Sequence, residues 1–273
     1  YDLGKTQCLV LWGTDPLASN REVPNTIHHF GKILERGTVI AIDPRLSNVA
    51  AKAHEWLPVL PGTDGALAGA MAHVLLVEGL WNKEFVGDFK DGKNLFAAGK
   101  TIDEATFAEK ETHGLVKWWN LELKDRTPAW AEKECGIPAA QIVRVARMMG
   151  KAAPKTAVWM GPGVGMTPRG TYASMAVYAL NGLLGSIDAE GGVLQASSVP
   201  IGAMPKSDAY LDDVAKSAGK FKKLDGRGEK AMPAMMNARP GSGVVTNNIA
   251  NGMLADPGAC KMLMASWANF NFS

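Results

Sequence analysis

Short apolar runs alternate with amphipathic stretches in the first part of the chain. Residues 7–12 form an apolar run that ends at a polar turn, residues 13–16. Residues 23–36 then place apolar side chains at helical spacing, and residues 38–42 form a second apolar run that ends at Asp43. A strand, a helix and a strand within about 35 residues predict a right-handed βαβ unit with parallel strands.

A third strand and helix follow in the same order. Residues 55–60 predict the strand and residues 65–80 the helix, with Gly62, Thr63 and Asp64 between them. Because the carboxyl ends of parallel strands share one edge of a sheet, we expect the three polar turns to lie together, where they suit a nucleotide. Backbone N–H groups there favour a phosphate, and a strand-end acid favours ribose hydroxyls or a guanine edge. Strand termination and helix capping explain the same residues without a ligand.

The order of strand, polar turn and helix recurs in the second half of the chain. Residues 156–160 predict a strand, residues 161–170 a glycine-rich turn and residues 171–184 a helix. Three glycines within five residues after a strand indicate a close approach of the backbone to a ligand, or a strained turn. The residues that we expect on the buried side of this helix are Met175, Tyr178 and Leu183.

These patterns predict an α/β protein with two doubly wound, dinucleotide-binding-like αβα lobes and mostly parallel sheets. We expect the lobes at residues 1–154 and 155–273, with the second lobe truncated, since both ends of the chain look cut. A last strand at residues 261–267 would end in a turn that carries Asn269. Further helices are predicted at residues 83–89, 128–134, 139–149 and 244–254.

Composition narrows the classes of function. A net charge of +2 gives no electrostatic footprint for nucleic acid, so we expect no nucleic-acid partner. The apolar runs are too short for a membrane-spanning helix. Cys8, Cys135 and Cys260 are far apart, which predicts structural roles and no zinc or iron–sulfur ligand set within this chain. The first turn is not G-x-G-x-x-G, so the usual NAD fingerprint is missing.

Several segments, taken in order, resemble the molybdopterin oxidoreductases of the dimethyl sulfoxide reductase superfamily. They are LVLWGTDPLASN, VIAIDPR, LPGTDGALAGAM, GPGVG, ALNGLLGSIDAEGGV and MLMASWANF, and they cover nearly the whole chain. The sequence is similar to the branch that reduces thiosulfate, polysulfide, tetrathionate or arsenate. The resemblance implies the cofactor-holding central region of a catalytic subunit that transfers oxygen or sulfur to or from a small inorganic substrate with two electrons.

The resemblance also implies cofactors and partners. The cofactor would be bis-molybdopterin guanine dinucleotide with molybdenum or tungsten, and a 4Fe–4S cluster would lie in a segment before Tyr1. The metal ligand would lie outside this chain as well, so the fragment alone is expected to be inactive. Expected partners are an iron–sulfur electron-transfer subunit, with a membrane anchor subunit as a further option. The expected location is periplasmic or at the cell surface.

The resemblance implies cofactor-binding roles for the residues of this chain that match the family's motifs. It implies no catalytic or metal-ligating residue within the chain. Two departures stand out. The first turn carries Asp15 where the family usually has Asn, so we expect this carboxylate to face a ribose or base rather than pyrophosphate. The closing turn is Asn-Phe where the family has Asn-Pro. The implied cofactor-binding residues are Trp12, Gly13, Thr14, Asp15, Asp43, Arg45, Gly62, Thr63, Asp64, Gly161, Gly163, Gly165, Met166 and Asn269.

Other readings of the same sheet stay open. One is a cofactor-free structural relative of the large subunit of respiratory complex I, in which the polar turns would be expected to lose their polar character. The other is an NAD(P)-binding α/β oxidoreductase, which the missing glycine fingerprint disfavours.

Overall fold

The structure is a computed structural model, and its described residues form two compact units, Tyr1–Ser198 and Val199–Ser273. The boundary predicted between residues 154 and 155 therefore falls inside the first unit. The described residues are 1–20, 22–87, 89–99, 115–195, 202–203, 207–217, 223–226 and 246–264.

Strands and helices alternate in the first unit. Short 3-10 helices lie at Leu123–Asp125 and Ser207–Tyr210. In chain order the other elements are β1 (Cys8–Trp12), α1 (Val23–Arg36), β2 (Thr38–Ile42), β3 (Glu55–Leu57), α2 (Asp64–Val77), β4 (Phe89–Lys90), β5 (Lys93–Asn94), α3 (Leu115–Leu121), α4 (Pro128–Cys135), α5 (Ala139–Ala152), β6 (Thr156–Met160), α6 (Pro162–Gly165), α7 (Gly170–Leu183), α8 (Asp213–Ser217) and α9 (Thr246–Ala255).

Four parallel strands form the main sheet in the order β3-β2-β1-β6. The register pairs Cys8 with Thr38 on one side and with Thr156 on the other. The α/β class with a parallel sheet is confirmed. However, β6 is hydrogen bonded to β1, so the strand that was predicted to begin a second lobe completes the first sheet.

Helices cover both faces of this sheet, which is why the central strand is apolar at every position. Leu9 and Leu11 pack with Phe30 and Ile33 of α1 on one face. On the other face, alternate side chains of β1 such as Val10 pack with α2, α5 and α7. Because side chains alternate across a strand, a strand that is buried on both sides is apolar throughout. The resulting three-layer arrangement holds the strand ends at fixed positions.

Asn181 of α7 forms hydrogen bonds with backbone groups on the outer edge of β6. Its side chain is buried, its Oδ1 accepts a hydrogen bond from Val158 N at 2.9 Å, and its Nδ2 donates to Val158 O at 3.1 Å. One side-chain amide thus replaces the two backbone bonds that a further strand would make at this residue. The sheet edge is thereby closed by a helix.

Two predicted elements differ from the structure. The helix predicted at residues 83–89 is replaced by turns and the β4–β5 hairpin. The physical reason is Asn94, whose Nδ2 donates to the carbonyl groups of Lys83 and Val86 and so takes acceptors that a helix would use. In the predicted last strand, the described residues 261–264 are not a strand, and residues 265–267 lie outside the described part of the chain.

Among the described residues, none of the helices has both the length and the apolar character needed to cross a membrane.

A candidate nucleotide site at the carboxyl edge of the sheet

The strand order creates a crevice at one edge of the sheet. From β1 the chain moves outward through β2 to β3 and then returns to place β6 on the other side of β1. In doubly wound sheets, ligands bind outside the carboxyl ends of the strands at such a reversal. The predicted turns of the chain lie at this carboxyl edge, because each lies in the connection that follows one of the four strands.

The turns after β1 and β6 are packed against each other. Gly13 has a left-handed φ of 59°, and a Cβ atom on it would lie 3.4 Å from the backbone N of Val164. A Cβ on Gly161 would overlap the carbonyl oxygen of Gly13 and lie 2.5 Å from Cβ of Thr14. The glycines therefore allow two backbones to meet where side chains would separate them.

The glycine-rich turn was assigned to a separate lobe from sequence, and the structure places it beside the first turn. Part of it is the short helix α6, and Gly165 lies on it. A Cβ on Gly163 would lie 3.2 Å from Gly13 O. Met166 follows with 82% of its surface exposed, so its side chain is available to a ligand.

A hydrogen bond between Trp12 and Asp64 joins the end of β1 to the first turn of α2. The indole Nε1 of Trp12 donates to Oδ1 of Asp64 at 2.8 Å, and both side chains are buried. Thr63 precedes α2 as its N-cap residue, and its hydroxyl donates to Leu60 O at 2.7 Å. All three side chains are thus engaged within the protein, so their contribution is to hold the turn and the strand ends in place.

Replacing Trp12 with Phe tests this hydrogen bond. We expect Trp12→Phe to lower the free energy of unfolding by about 1–3 kcal/mol, because a buried carboxylate oxygen of Asp64 loses its donor. Chemical denaturation followed by circular dichroism measures the effect. Asp64→Asn is the matched control, since its amide oxygen still accepts from the indole and the loss is expected to be smaller. Equal stability of Trp12→Phe and the wild type would contradict the assignment.

Asp43 is fixed within its own turn, while Arg45 is not. Oδ1 of Asp43 accepts a hydrogen bond from the backbone N of Arg45 at 2.8 Å. The carbonyl oxygen of Asp43 accepts from Nε1 of Trp56 at 2.9 Å. The side chain of Arg45 is 78% exposed, with Nε 3.9 Å from Oδ1 of Asp43. Its guanidinium is therefore available to an anion or a base at this edge.

Asp15 joins the turn after β1 to the loop after β2. Its Oδ2 accepts hydrogen bonds from both the backbone N and the side-chain Nδ2 of Asn48, each at 3.1 Å. Its Oδ1 is buried and has no hydrogen-bond partner in the structure. Asp15 lies inside the protein with 8% of its surface exposed, so the expectation that it faces a ribose or base stays a prediction.

Gly62 leaves its backbone open in the loop between β3 and α2. It has a left-handed φ of 85°, and a Cβ atom placed on it would meet nothing within 4 Å. A glycine is required here by the backbone angle rather than by crowding. The carboxyl edge thus offers open backbone at Gly62 and close-packed backbone at Gly13 and Gly161. Asn269, the last predicted site residue, lies outside the described residues.

The cysteines of the first unit are structural. Cys8 is fully buried, and burial raises the pKa of its thiol to about 12, so the thiol stays protonated at neutral pH. Burial likewise raises the pKa of the Cys135 thiol. No group of three His, Cys, Asp or Glu residues that could hold a metal ion occurs in the part of the chain that the structure describes.

Sequence reasoning missed the side chains that hold the site together. Asn48, Trp56 and Asn181 each bond to an element that is distant in sequence. Of these three, only Asn181 could have been recognised from sequence as a buried hydrogen-bonding residue, since it is a polar residue within an apolar helical segment. A partner more than ten residues away cannot be read from local spacing.

The fold is that of an α/β protein with a parallel sheet that is covered by helices on both faces. The profile of one family, "Molybdopterin oxidoreductase", matches residues 1–260. The chain belongs to the molybdopterin oxidoreductase family, which confirms the resemblance seen in its motifs.

Individual relatives agree with this family. The chain is 56% identical over its full length to the molybdopterin-containing subunit of the arsenate respiratory reductase of Chrysiogenes arsenatis, and 47% identical to that of Shewanella sp. strain ANA-3. It is 29% identical over 98% of its length to the molybdopterin-containing subunit of the thiosulfate reductase of Salmonella typhimurium. The chain spans 32% of the length of each of these relatives.

Among solved structures, acetylene hydratase from Pelobacter acetylenicus shares the fold. The TM-score is 0.53 at 24% sequence identity, over 67% of this chain and 22% of that protein. At this identity the similarity concerns the fold alone.

Proposed function

We propose that this chain is the cofactor-holding region of the catalytic subunit of an arsenate reductase. The observation that carries the proposal is the 56% identity, over the whole chain, to an arsenate respiratory reductase subunit. Identity to the thiosulfate reductase subunit is 29%, so arsenate is favoured over thiosulfate, polysulfide or tetrathionate as substrate. The reaction would remove one oxygen from arsenate with two electrons and two protons, giving arsenite and water.

The carboxyl edge fits a guanine dinucleotide form of molybdopterin. The glycine turns at Gly13 and Gly161 pack against each other at this edge, and backbone N–H groups of a turn between a strand and a helix favour a pyrophosphate. Arg45, which is exposed at the end of β2, is placed for the nucleoside end of the cofactor beside Asp43. Gly62 leaves room for a ligand at the end of β3, because nothing lies within 4 Å of its Cβ position.

In this proposal the chain's own residues bind and orient, while the bound cofactor supplies two-electron redox chemistry with molybdenum or tungsten. The hydrogen bond between Trp12 and Asp64 fixes the end of β1 to the start of α2, so the turns there would keep their spacing when the nucleotide binds. The glycines at positions 13 and 161 let the turns after β1 and β6 pack closely against each other. The substrate would meet the metal outside this chain, at groups supplied by the rest of the subunit.

The proposal extends to the whole protein. A 4Fe–4S cluster in the remainder of the subunit would deliver electrons, which an iron–sulfur partner subunit would supply. A membrane anchor subunit would tie the complex to a membrane, on its periplasmic or outer side. The names of the relatives call them subunits of respiratory reductases, which supports the presence of partner subunits.

The test uses the full-length subunit, purified with its partner. We expect two guanine nucleotides per molybdenum or tungsten atom after acid release, and oxidation of a reduced dye by arsenate that is faster than by thiosulfate. A folded subunit with neither metal nor nucleotide would support the cofactor-free relative of the complex I subunit instead. Binding of NADH, followed by its fluorescence, would support the NAD(P)-dependent alternative.

A further inference from the structure

The two oxygens of the Asp15 carboxylate have different environments. Oδ2 accepts from the backbone N and from the side-chain Nδ2 of Asn48, and both distances are 3.1 Å. Oδ1 is buried without a hydrogen-bond partner. Buried polar atoms in native proteins are nearly always hydrogen bonded, so an unpartnered carboxylate oxygen calls for an explanation.

Asn48 lies in the loop after β2, which contains the exposed part of the candidate site. This loop begins at Asp43, where β2 ends, and includes Arg45. Within the loop, Ser47 Oγ accepts from the backbone N of Ala50, and Asp43 Oδ1 accepts from Arg45 N. Both of these bonds are local, whereas the bonds from Asn48 to Asp15 reach another strand end, 33 residues away in sequence.

We propose that Asp15 and Asn48 form a clamp that positions the nucleoside-binding loop, residues 43–48, against the turn after β1. Asp15 is then a positioning residue that acts through Asn48, and its carboxylate need not touch the ligand. Hydrogen bonds to a charged carboxylate are about twice as strong as those between neutral groups, which offsets part of the cost of burying the charge. The proposal rests on the proposed function, since the loop is taken to bind the nucleoside end of the cofactor.

The proposed clamp predicts which side chains can replace Asp15. An amide at position 15 can still accept from Asn48 through its oxygen, whereas Ala cannot accept at all. Asp15→Asn is therefore expected to keep the clamp without the buried charge.

The experiment is a double-mutant cycle in the full-length subunit, with Asp15→Ala, Asn48→Ala and the double variant. The readout is guanine nucleotide retained per folded subunit after dialysis, with folding checked by circular dichroism. We expect Asp15→Ala to retain nucleotide about tenfold more weakly, the loss that one or two such hydrogen bonds imply. We expect Asn48→Ala to have a smaller effect, because its backbone N still donates.

The double variant should lose no more than Asp15→Ala alone, since residues that act through one interaction are not additive. Asp15→Asn should restore retention to near the wild-type value. Asp2→Ala is the matched control: Oδ2 of Asp2 accepts from the backbone N of Gly191 at 3.0 Å, before β1 begins. This control is expected to leave nucleotide retention unchanged.

Failure of the proposed function and failure of the clamp would give different results in this experiment. A folded wild-type subunit without guanine nucleotide would refute the proposed function itself. A wild type that retains nucleotide, together with an Asp15→Ala variant that retains it equally well, would refute the clamp alone. Strictly additive losses, or no rescue by Asp15→Asn, would also overturn it. If Asp15→Ala does not fold, Asn48→Ala decides the matter, because unchanged retention there would refute the clamp.

Discussion

Gly161→Ala is expected to disrupt the packing of the two turns at the carboxyl edge. The new Cβ would overlap the carbonyl oxygen of Gly13 and lie 2.5 Å from Cβ of Thr14. These are backbone and Cβ atoms of a neighbouring turn, so relief requires the ends of β1 and β6 to move apart. Over-packing of this kind costs about 1–3 kcal/mol. We expect a loss of that size in the free energy of unfolding and, in the full-length subunit, loss of bound guanine nucleotide.

Gly31→Ala is the matched control for this substitution. Gly31 lies within α1, and a Cβ atom there would meet nothing within 4 Å. Because alanine favours a helix over glycine, this variant should be more stable than the wild type by about 0.5–1 kcal/mol. Chemical denaturation of both variants gives the comparison. A Gly161→Ala variant with wild-type stability and nucleotide content would show that the two turns are not tightly packed.

The second large effect is expected for Asn181→Leu. This change removes the groups that bond to both Val158 N and Val158 O, and it leaves two buried backbone groups without partners. Each such group costs about 1–3 kcal/mol, so we expect a total loss of about 2–5 kcal/mol in the free energy of unfolding. Urea denaturation followed by tryptophan fluorescence measures it, and Trp159 of β6 is a nearby reporter.

Asn25→Leu serves as the control, because Asn25 is an exposed residue of α1 with one long hydrogen bond of 3.4 Å to Glu22. A change within about 0.5 kcal/mol is expected there. If Asn181→Leu proves as harmless as the control, the edge of β6 does not depend on this amide.

Much of the first unit could be predicted from sequence because its signals are local. The bounds of α1, β2 and β6 were predicted at the residues that the structure shows, since each apolar run is short and is ended by Gly, Pro or Asp. The buried face of α7 was predicted correctly at Leu183 but wrongly at the other two residues. Met175 and Tyr178 are 64% and 45% exposed, whereas Val177 and Leu180 are buried. A helix with apolar residues on most sides has no period that selects the buried face.

The site could be predicted only in part for a related reason. The polar turns after β1, β2 and β3 are local motifs, and the structure places them at one edge of the sheet. The neighbour of the turn at Gly13 is the turn at Gly161, and that depends on strand order, which no local pattern encodes. The same holds for Asp15 and Asn48, whose pairing follows from the adjacency of β1 and β2.

The position of β1 between β2 and β6 also has a consequence for synthesis of the chain. Cys8 pairs with Thr38, which follows closely in sequence, but also with Thr156, which is made much later. At a translation rate of about 5–20 residues per second, the second partner of β1 arrives on the order of ten seconds after the first. During that interval one side of a fully apolar strand has unpaired backbone groups, which can pair with other chains. Nascent chains of this protein are thus most exposed to aggregation before residue 160 leaves the ribosome.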